Sequence, residues 1–398
     1  MKKLLLAGLS ASALLAPTLA HADGHEVKLG VILGFSGPIE SLTPDMAAGA
    51  ELAMSEVTES GLFLDGHVVS SVRADSTCID AAAATAAAER LISAEGVAAI
   101  MGADCSGVTT AIINNATVPQ GIVNISPSAT SPALSTIDDN GLFFRTAPSD
   151  ARQGVVLAEV VMDRGIEEVA VSFTNNDYGK GFADAFVAAY EGMGGSVTLS
   201  APHEDGRGDY SAEVGALAAA GGDALVVLGY VDQGGLGVIR SSIDTGAFET
   251  FVGGDGMFGT SLIDNLGDDL ESWFGTLPGS AVGDDNPWPA VAEAGGVNDE
   301  GPFVGQSYDA AALILLAMQA GGDHTSEAAA ANMLAVANAP GEPIAAGELA
   351  KGLEILAAGG EIDYVGATGV EFNDVGEPDG VFNEFELQSG SLETVNVR

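Results

Sequence analysis

The stretch VAAIMGADCSGV, residues Val97–Val108, begins as an apolar run and ends in a polar turn flanked by glycines. Val97–Met101 has the composition of a buried strand, and Ser106 is placed to open a helix. The cysteine and serine between them could form a nucleophile loop, an anion-binding helix start or a structural cross-link. The strand–loop–helix unit predicts an α/β fold, and its loop is the first candidate for a functional site.

The same unit repeats on both sides of this stretch. The other strand-like runs of this half are VKLGVILGF, VVSSVRADS and GIVNIS. Helices are expected between them, one capped by Thr43 with Pro44 in its first turn, and an alanine-rich one over Asp80–Ser93. This alternation predicts a parallel sheet covered by helices on both faces.

A second α/β series starts at FFRTAP. Its helices are expected at Asp150–Arg164, Gly181–Glu191, Tyr210–Ala220 and Gly234–Ile243, alternating with the strands EEVAVSFTN, SVTLSA, DALVVLGY and TFVGG. Two series of similar length predict two similar doubly wound lobes. The pattern after Pro278 is less regular and must complete one or both lobes. It contains the helix SYDAAALILLAMQAGG, helices near Glu327–Ala337 and Ala346–Ala358, and, in EFNDVGEPDGVFNEFEL, two strand-like runs around a polar turn.

Six polar loops follow predicted strands: GFSGPIES, GADCSG, SPSATSP, NNDYGKG, GYVDQGG and GGDGMFG. Sheets of this kind bind ligands beyond the carboxyl ends of their strands. Because the loops are divided between the two series, they predict a ligand cleft between the two lobes.

The N-terminus has the features of a secretory signal peptide. Lys2 and Lys3 precede the apolar stretch Leu4–Ala16, which is shorter than the ~20 residues that a membrane span needs. Ala20-His21-Ala22 is a small-x-small cleavage site, so cleavage is expected after Ala22. The mature chain is therefore expected to be exported and soluble.

Composition excludes one class of partner and indicates the redox setting. The net charge of −43, from 56 acidic and 13 basic residues, would repel a polyanion, so nucleic acid is not an expected partner. Cys78 and Cys105 are the two cysteines, and an even count in an exported chain favours a disulfide. A reactive thiol pair would normally show C-x-x-C spacing.

Motifs for catalysis, cofactors and metals are weak. GDGMFG (Gly254–Gly259) formally matches a dinucleotide loop, but Asp255 would face the pyrophosphate. His67, His203 and His324 are not expected at the strand-end loops, so a serine nucleophile has no evident base. No cofactor or metal is expected, and the acids near the C-terminus are interpreted as a solvated turn rather than a calcium site; they are Asp374, Glu377, Asp379 and Glu384.

Recognition of a small molecule fits the strand-end residues better. Ser106 at a helix start, with the free N–H groups there, suits a carboxylate, and Ser128 and Thr130 lie in a second polar loop. Asp255 is a lone acid suited to an amine, and two tyrosines offer cleft walls, Tyr178 and Tyr230. The combination describes an α-amino-acid receptor. Taken one at a time, the same residues could be ordinary helix caps and core tyrosines.

Along essentially the whole mature chain the sequence resembles type I periplasmic solute-binding proteins of ABC importers, in the leucine/isoleucine/valine-receptor family. The segments that carry the resemblance are KLGVILGFSGP, DSTC…GADCS, ISPSATSP, NNDYGKGF, LGY, VGGDG, SYDAAALILLAMQAG and GATGVEFNDVGEPDG. The resemblance implies two α/β lobes joined by three hinge crossovers, a ligand in the cleft between them, and closure around it. It also implies a disulfide between Cys78 and Cys105.

The resemblance assigns roles to single residues. It implies that Ser106 holds the ligand carboxylate, that the Ser128 carbonyl receives the ammonium, and that Thr130 uses its N–H and hydroxyl. Tyr178 and Tyr230 match the aromatic residues of the second lobe. Two positions depart from the family: Leu42 stands where an aromatic residue commonly covers the ligand side chain, and Asp255 stands where branched-chain receptors have Glu.

The expected division of the chain is residues 1–22 signal peptide, 23–147 lobe 1, 148–278 lobe 2, 279–365 return to lobe 1, and 366–398 hinge crossover and completion of lobe 2. The expected protein is a monomeric periplasmic receptor, not an enzyme, that delivers a small amino acid to an ABC permease and ATPase complex in the inner membrane. The alternatives are a receptor of the same fold for an amide, urea or aromatic carboxylate, a ligand-sensing partner, and an exported serine hydrolase using Ser106.

Overall fold

The computed structural model describes residues 26–283 and 285–398. The predicted signal peptide and its cleavage site lie outside the described residues. The strands are β1 (Glu26–Leu33), β2 (Val68–Asp75), β3 (Ala99–Gly102), β4 (Asn124–Ser126), β5 (Phe143–Arg145), β6 (Glu168–Thr174), β7 (Ser196–His203), β8 (Ala224–Leu228), β9 (Thr250–Gly253), β10 (Ser272–Pro278), β11 (Glu342–Ala345), β12 (Ile362–Gly366), β13 (Phe382–Gln388) and β14 (Ser391–Val397).

The helices are α1 (Thr43–Ser60), α2 (Ala81–Arg90), α3 (Ser106–Ile112), α4 (Val118–Gln120), α5 (Asp150–Asp163), α6 (Asp177–Gly192), α7 (Ser211–Ala220), α8 (Gly234–Thr245), α9 (Thr260–Leu266), α10 (Trp288–Gly295), α11 (Val304–Gly321), α12 (Ser326–Ala337) and α13 (Leu349–Ala357). The predicted alternation of strands and helices is present in both halves of the chain. The helix boundaries mostly fall within a few residues of the predicted ones.

Two main sheets form two lobes, as the sequence predicts. The first sheet has the order β2-β1-β3-β4-β5, and all its strands are parallel. The second has the order β14-β13-β10-β9-β8-β6-β7, parallel from β10 to β7. The final hairpin, β13 and β14, joins the second sheet through antiparallel pairing with β10. We call the half built on the first sheet lobe 1 and the half built on the second sheet lobe 2.

The return segment packs on lobe 1. Every residue of α11 from Val304 to Gln319 is buried, including the whole apolar run Ala310–Met318. α1 lies against it so closely that a Cβ at Gly49 would be 2.5 Å from the Val304 carbonyl oxygen. Any larger residue at position 49 would therefore push the two helices apart.

Within the described part of the chain, three segments connect the lobes: residues 146–149, residues 279–283 with 285–287, and residues 367–381, which we call the first, second and third crossovers. Backbone hydrogen bonds tie the second and third together. The Ala281 N–H donates to the Thr368 carbonyl (2.8 Å) and the Gly279 N–H to the Val381 carbonyl (2.7 Å). The second and third crossovers are therefore hydrogen-bonded to each other, and Pro148 of the first packs against Gly380 of the third.

Three local predictions are wrong. Thr43 does not cap α1: it is the first helical residue, preceded by Leu42, and its hydroxyl donates to the Gly34 carbonyl (3.2 Å). α6 begins at Asp177 rather than Gly181, because the Asn176 side chain caps it by accepting from the Gly179 N–H (3.0 Å).

The third error concerns the C-terminal hairpin. The run before the polar turn, starting at Glu371, is not a strand but part of the third crossover. The hairpin is instead formed by β13 and β14, which turn at Ser389 and Gly390. The glycines and acids of the polar turn after Glu371 are typical of a turn between two strands. This turn belongs instead to the third crossover, which is hydrogen-bonded to the second.

Candidate ligand-binding site

A small cavity lies between the lobes where the strand-end loops meet. It contains about 340 Å³ of space including its mouth. Its walls are formed by Ile39, Leu42, Met46, Asp104, Cys105, Ser106, Ser128, Tyr178, Tyr230, Asp255, Gly256 and Phe303. Six of the seven residues predicted from the sequence are therefore brought together here. The seventh, Thr130, is fully buried and lies behind the wall rather than on it.

Hydroxyl groups form one part of the lobe 1 wall. Ser106 is the first residue of α3, and its Oγ accepts a hydrogen bond from the Ser131 N–H (3.1 Å). The hydroxyl proton of Ser106 thereby stays available to a ligand acceptor. The Ser128 Oγ donates to the Asp104 carbonyl (3.2 Å), which fixes the second polar loop against the first.

The turn before α3 is held by a disulfide. Cys78 and Cys105 are bonded, with their Cα atoms 5.2 Å apart, which confirms the predicted pairing. Asp104 adds a second clamp: its carboxylate accepts from the N–H groups of Gly34 (2.6 Å) and Cys105 (2.9 Å) and from the Ser76 hydroxyl (3.2 Å). Burial raises the pKa of Asp104, and these hydrogen bonds oppose the rise. Asp104 thus anchors the first loop, the disulfide and Ser106 together.

Apolar side chains form the rest of the lobe 1 wall. They are Ile39, Leu42, Met46 and Phe303. Phe303 comes from the end of the irregular segment before α11, and nothing in the sequence pattern marked it. It supplies an aromatic ring in the same cavity as Leu42, the position where the resemblance implies an aromatic residue.

Two stacked tyrosines form the wall from lobe 2. The rings of Tyr178 and Tyr230 lie 5.2 Å apart with an interplanar angle of 16°. The Tyr178 hydroxyl donates to Asp255 Oδ1 (3.3 Å) and accepts from the Gly256 N–H (3.1 Å). The Asn176 amide donates to the Tyr230 hydroxyl (3.4 Å). Burial raises the pKa of both phenols, so both are neutral hydrogen-bonding groups.

Asp255 is a buried acid, and its burial disfavours the charged form of the carboxyl group. It lies two residues beyond the end of β9 and is only 2% exposed. Burial raises its pKa to about 7, although hydrogen bonds from its own backbone region and from the Gln153 and Tyr178 side chains oppose the rise. A carboxylate in this position would be stabilised by a cation brought by a ligand.

Asp150 is a second buried acid beside Asp255, and it is not among the site residues predicted from the sequence. It is the first residue of α5, is fully buried, and its carboxylate makes no hydrogen bond of good geometry to any described residue. Burial, followed by the charge of Asp255, raises its pKa well above the usual range. The nearby Thr130 hydroxyl and the Arg145 charge oppose the rise. An acid after a capping serine is ordinary at a helix start, so no local pattern singled it out.

The suspected acidic turn has other partners. The prediction that Glu377 is solvated is wrong, because Glu377 is buried and paired with Arg145. Glu384 pairs with Arg164 and Arg398. Within residues 26–283 and 285–398, no group of three or more His, Cys, Asp or Glu side chains could hold a metal ion.

The position of His203 differs from the prediction that it lies away from the strand ends. His203 is the last residue of β7 and therefore is at a strand end, but its ring is buried and its Nδ1 bonds to the Ser172 hydroxyl (2.8 Å). Burial lowers its pKa to about 4. It does not line the cavity that contains Ser106.

Comparison with known proteins decides the family. Residues 26–349 match the family model described as periplasmic binding protein. The chain belongs to this family. Within it, the chain groups with the branched-chain amino acid receptors: it is 30% identical over 264 residues to the Leu/Ile/Val-binding protein BraC3 of Rhizobium johnstonii, covering 65% of this chain and 68% of the relative.

Other relatives of this periplasmic binding protein have different roles. The chemotactic signal transduction system substrate-binding protein BasB of Halobacterium salinarum is 28% identical, covering 87% of this chain and 83% of BasB. Among solved structures, the leucine-binding protein LivK of Thermotoga maritima matches with a TM-score of 0.78 at 22% identity, covering 93% of this chain and 98% of LivK. A solute-binding protein of R. palustris in complex with 4-hydroxybenzoate matches with a TM-score of 0.74 at 21% identity, covering 94% and 97%.

These comparisons establish the broad role. The protein is a solute-binding receptor rather than an enzyme, of the family that works with ABC transporter permeases. No helix among the described residues has the length and apolar character to cross a membrane. The likeness to the solved structures shows the fold, and the choice of ligand depends on the chemistry of the cavity.

Proposed function

We propose that the protein binds a small α-amino acid with an apolar side chain and delivers it, in the periplasm, to an ABC permease and ATPase complex. The observation that carries this proposal is Asp255, a buried acid in the cavity wall, with a second buried acid, Asp150, beside it. The Arg145 charge acts on Asp150, but Arg145 is already paired with Glu377. A ligand ammonium supplies the missing positive charge.

The remaining walls fit the other parts of an amino acid. The Ser106 hydroxyl can donate to the ligand carboxylate, and the stacked ring of Tyr178 closes the cavity from the opposite lobe. The apolar group of Ile39, Leu42, Met46 and Phe303 suits an aliphatic side chain. Asp255 is shorter than the family's Glu, and Asp150 provides a second acid for the ammonium.

An anionic ligand suits the cavity less well. The R. palustris relative was solved with 4-hydroxybenzoate, which carries a carboxylate and no ammonium. Such a ligand would place a carboxylate beside the acids Asp104 and Asp255 in a cavity whose lining, among the described residues, contains no Lys or Arg. Burying an unpaired charge in that setting is costly. An amide or urea ligand would also leave both acids without a cation.

A sensing role is the second candidate function. The relative BasB is named as a chemotactic substrate-binding protein, and it aligns with most of this chain. Sensing and transport would use the same closed, liganded receptor and would differ in its membrane partner. Co-purification of the liganded protein with an ABC permease, compared with a chemoreceptor, separates the two.

We also propose that the lobes divide at residues 147, 278 and 365, that the protein is a monomer, and that the site residues have the ligand roles that the resemblance implies.

A thermal-shift screen of ligand-free protein at pH 8 tests the proposed substrate class. At about 100 times Kd a ligand adds roughly 2.7 kcal/mol of stability, so leucine, isoleucine or valine should raise Tm by several degrees. A shift with 4-hydroxybenzoate or acetamide, and none with any amino acid, would contradict the proposal.

A further inference from the structure

A buried ion pair lies directly beneath the polar loop of lobe 1. Arg145, the last residue of β5, is 1% exposed, and Glu377 belongs to the third crossover. The Arg145 Nε and Nη2 both donate to Glu377 Oε2, the first at 2.8 Å. The Ser135 hydroxyl bridges the pair, accepting from Nη2 (2.7 Å) and donating to Glu377 Oε1 (3.0 Å).

The other side of the guanidinium holds the polar loop itself. Arg145 Nη1 donates to the carbonyl oxygens of Ala129 (2.9 Å) and Ser131 (3.0 Å), on either side of Thr130. An arginine side chain has five N–H donors, and these contacts use all five. Arg145 therefore has no donor left for a ligand carboxylate, and it does not line the cavity.

The loop that Arg145 holds is connected to both walls of the cavity. Its Ser131 N–H donates to the Ser106 Oγ (3.1 Å), and the Ser131 hydroxyl donates to the Asp177 carbonyl (3.0 Å) in the first turn of α6, next to Tyr178. Ser128 of the same loop lines the cavity. A shift of this loop would therefore move groups on both lobes.

The pair also fastens the hinge region. The Arg145 backbone N–H donates to the Gly376 carbonyl (3.0 Å), beside Glu377 in the third crossover. The Thr146 hydroxyl, one residue further on, donates to the Gln306 carbonyl of α11 (2.8 Å). The first and third crossovers thus meet at the residue that holds the ligand loop.

We propose that Arg145 and Glu377 are positioning residues, which hold the loop Ser128–Ser131 in its ligand-binding conformation and couple that loop to the hinge. Neither residue touches the ligand. The proposal rests on the proposed function for its effect on affinity, but its effect on the loop does not depend on the identity of the ligand.

Glu377→Gln and Arg145→Lys test the proposal. The first substitution keeps the shape of the Glu377 side chain but leaves the arginine charge buried without its partner. The second keeps the positive charge, but a lysine ammonium has three donors and cannot replace the set of five. The matched control is Glu384→Gln. Glu384 is similarly buried and pairs with Arg164 (2.8 Å) and Arg398 (3.0 Å), but it lies in lobe 2, away from the loop.

Hydrogen exchange of the unliganded variants is the first measurement. Glu377→Gln should speed exchange at least tenfold in the Ser131 and Asp150 amides, which are hydrogen-bonded to Ser106 and to the held loop, while amides of β1 and β8 stay unchanged. Glu384→Gln should leave the loop amides at wild-type rates. Wild-type exchange of the loop in both Arg145 and Glu377 variants would overturn the proposal, whatever the ligand proves to be.

Calorimetric titration with L-leucine is the second measurement. Both variants should bind at least tenfold more weakly than wild type, and Glu384→Gln within twofold of it. A purely structural role would lower the melting temperature and leave affinity and loop exchange as in wild type, and that result would contradict the proposal. If wild type itself does not bind L-leucine or another amino acid, the proposed function fails, and the exchange measurement still decides the role of the pair.

Discussion

Asp309 and Asp150 are both fully buried, yet their surroundings differ completely. The Asp309 carboxylate, in α11, accepts four hydrogen bonds: from the Tyr364 hydroxyl (2.8 Å), the Ala367 N–H (2.7 Å), and the Thr368 N–H (3.0 Å) and hydroxyl (2.6 Å). Asp150 has no hydrogen bond of good geometry from any described residue. One acid is satisfied by the fold, whereas the other is not.

We propose that the difference separates a structural acid from one that contributes to ligand binding. Asp309 ties α11 to the start of the third crossover, and its hydrogen bonds limit the rise that burial causes, so its pKa reaches only about 6. Asp255 lines the cavity and Asp150 is its buried neighbour, and neither acid is satisfied in this way. Buried polar groups are normally paired, so an unpaired acid beside a cavity indicates where a partner is to come from outside.

The largest expected effect is that of Asp255→Asn on ligand affinity. The substitution keeps the shape of the side chain and removes the charge that pairs with the ammonium. Losing one partner of a buried charge pair costs roughly 2–5 kcal/mol, so the affinity for L-leucine should fall by about 30-fold or more. Calorimetric titration at pH 8 measures it. Unchanged affinity would remove the ammonium role from Asp255.

Asp309→Asn should show the opposite pattern. An amide cannot accept all four hydrogen bonds, so the unfolding free energy should fall by roughly 2–3 kcal/mol, measured by urea denaturation without ligand. The affinity of the folded protein for L-leucine should stay within about threefold of wild type. A large affinity loss with normal stability would reverse the comparison between the two acids.

Asp150→Asn should weaken binding while stabilising the unliganded protein. The variant loses one of two acids near the ammonium, so the affinity should fall about tenfold, less than for Asp255→Asn. It also removes a poorly satisfied buried acid whose charged form burial disfavours, so the unfolding free energy at pH 8 should rise. Urea denaturation and titration of the same preparation check both parts. A loss of stability would show that Asp150, like Asp309, serves the fold.

The two acids should also make binding dependent on pH. The pKa of Asp255 in the unliganded protein, about 7, is above its ordinary value, so the unliganded fold loses stability as pH rises from about 4 to 7. A bound ammonium favours the ionised acid. Affinity should therefore be constant above pH 7 and fall by up to about tenfold per pH unit below it. Titrations between pH 5 and 8 measure the slope, and a flat profile would mean that neither acid titrates on binding.

Much of this site could be predicted because strand ends meet in a parallel sheet. Ser106, Ser128, Tyr178, Tyr230 and Asp255 were found from that rule, and all five line the cavity. Phe303 and Asp150 could not be found in that way. Phe303 reaches the cavity through the return segment, and Asp150 resembles any acid at a helix start until its burial is known.

The main elements of the fold could also be predicted from local sequence patterns. Alternating strands and helices predicted both parallel sheets, since each period is set by local apolar spacing. The small sheet of β11 and β12 and the true position of the last hairpin depend on long-range pairing, which local spacing does not encode. The burial of Glu377 had no sequence signal, because its partner Arg145 is 232 residues away.

The central claim is that the unsatisfied acids of the cleft bind a ligand ammonium. Calorimetric titration of wild-type protein at pH 8 with L-leucine and with 4-methylpentanoate, which is leucine without its amino group, tests it most directly. We expect binding of leucine and at least about 30-fold weaker binding of 4-methylpentanoate, which corresponds to the roughly 2–5 kcal/mol that a buried charge pair contributes. Equal affinity for the two, or tighter binding of 4-methylpentanoate, would contradict it.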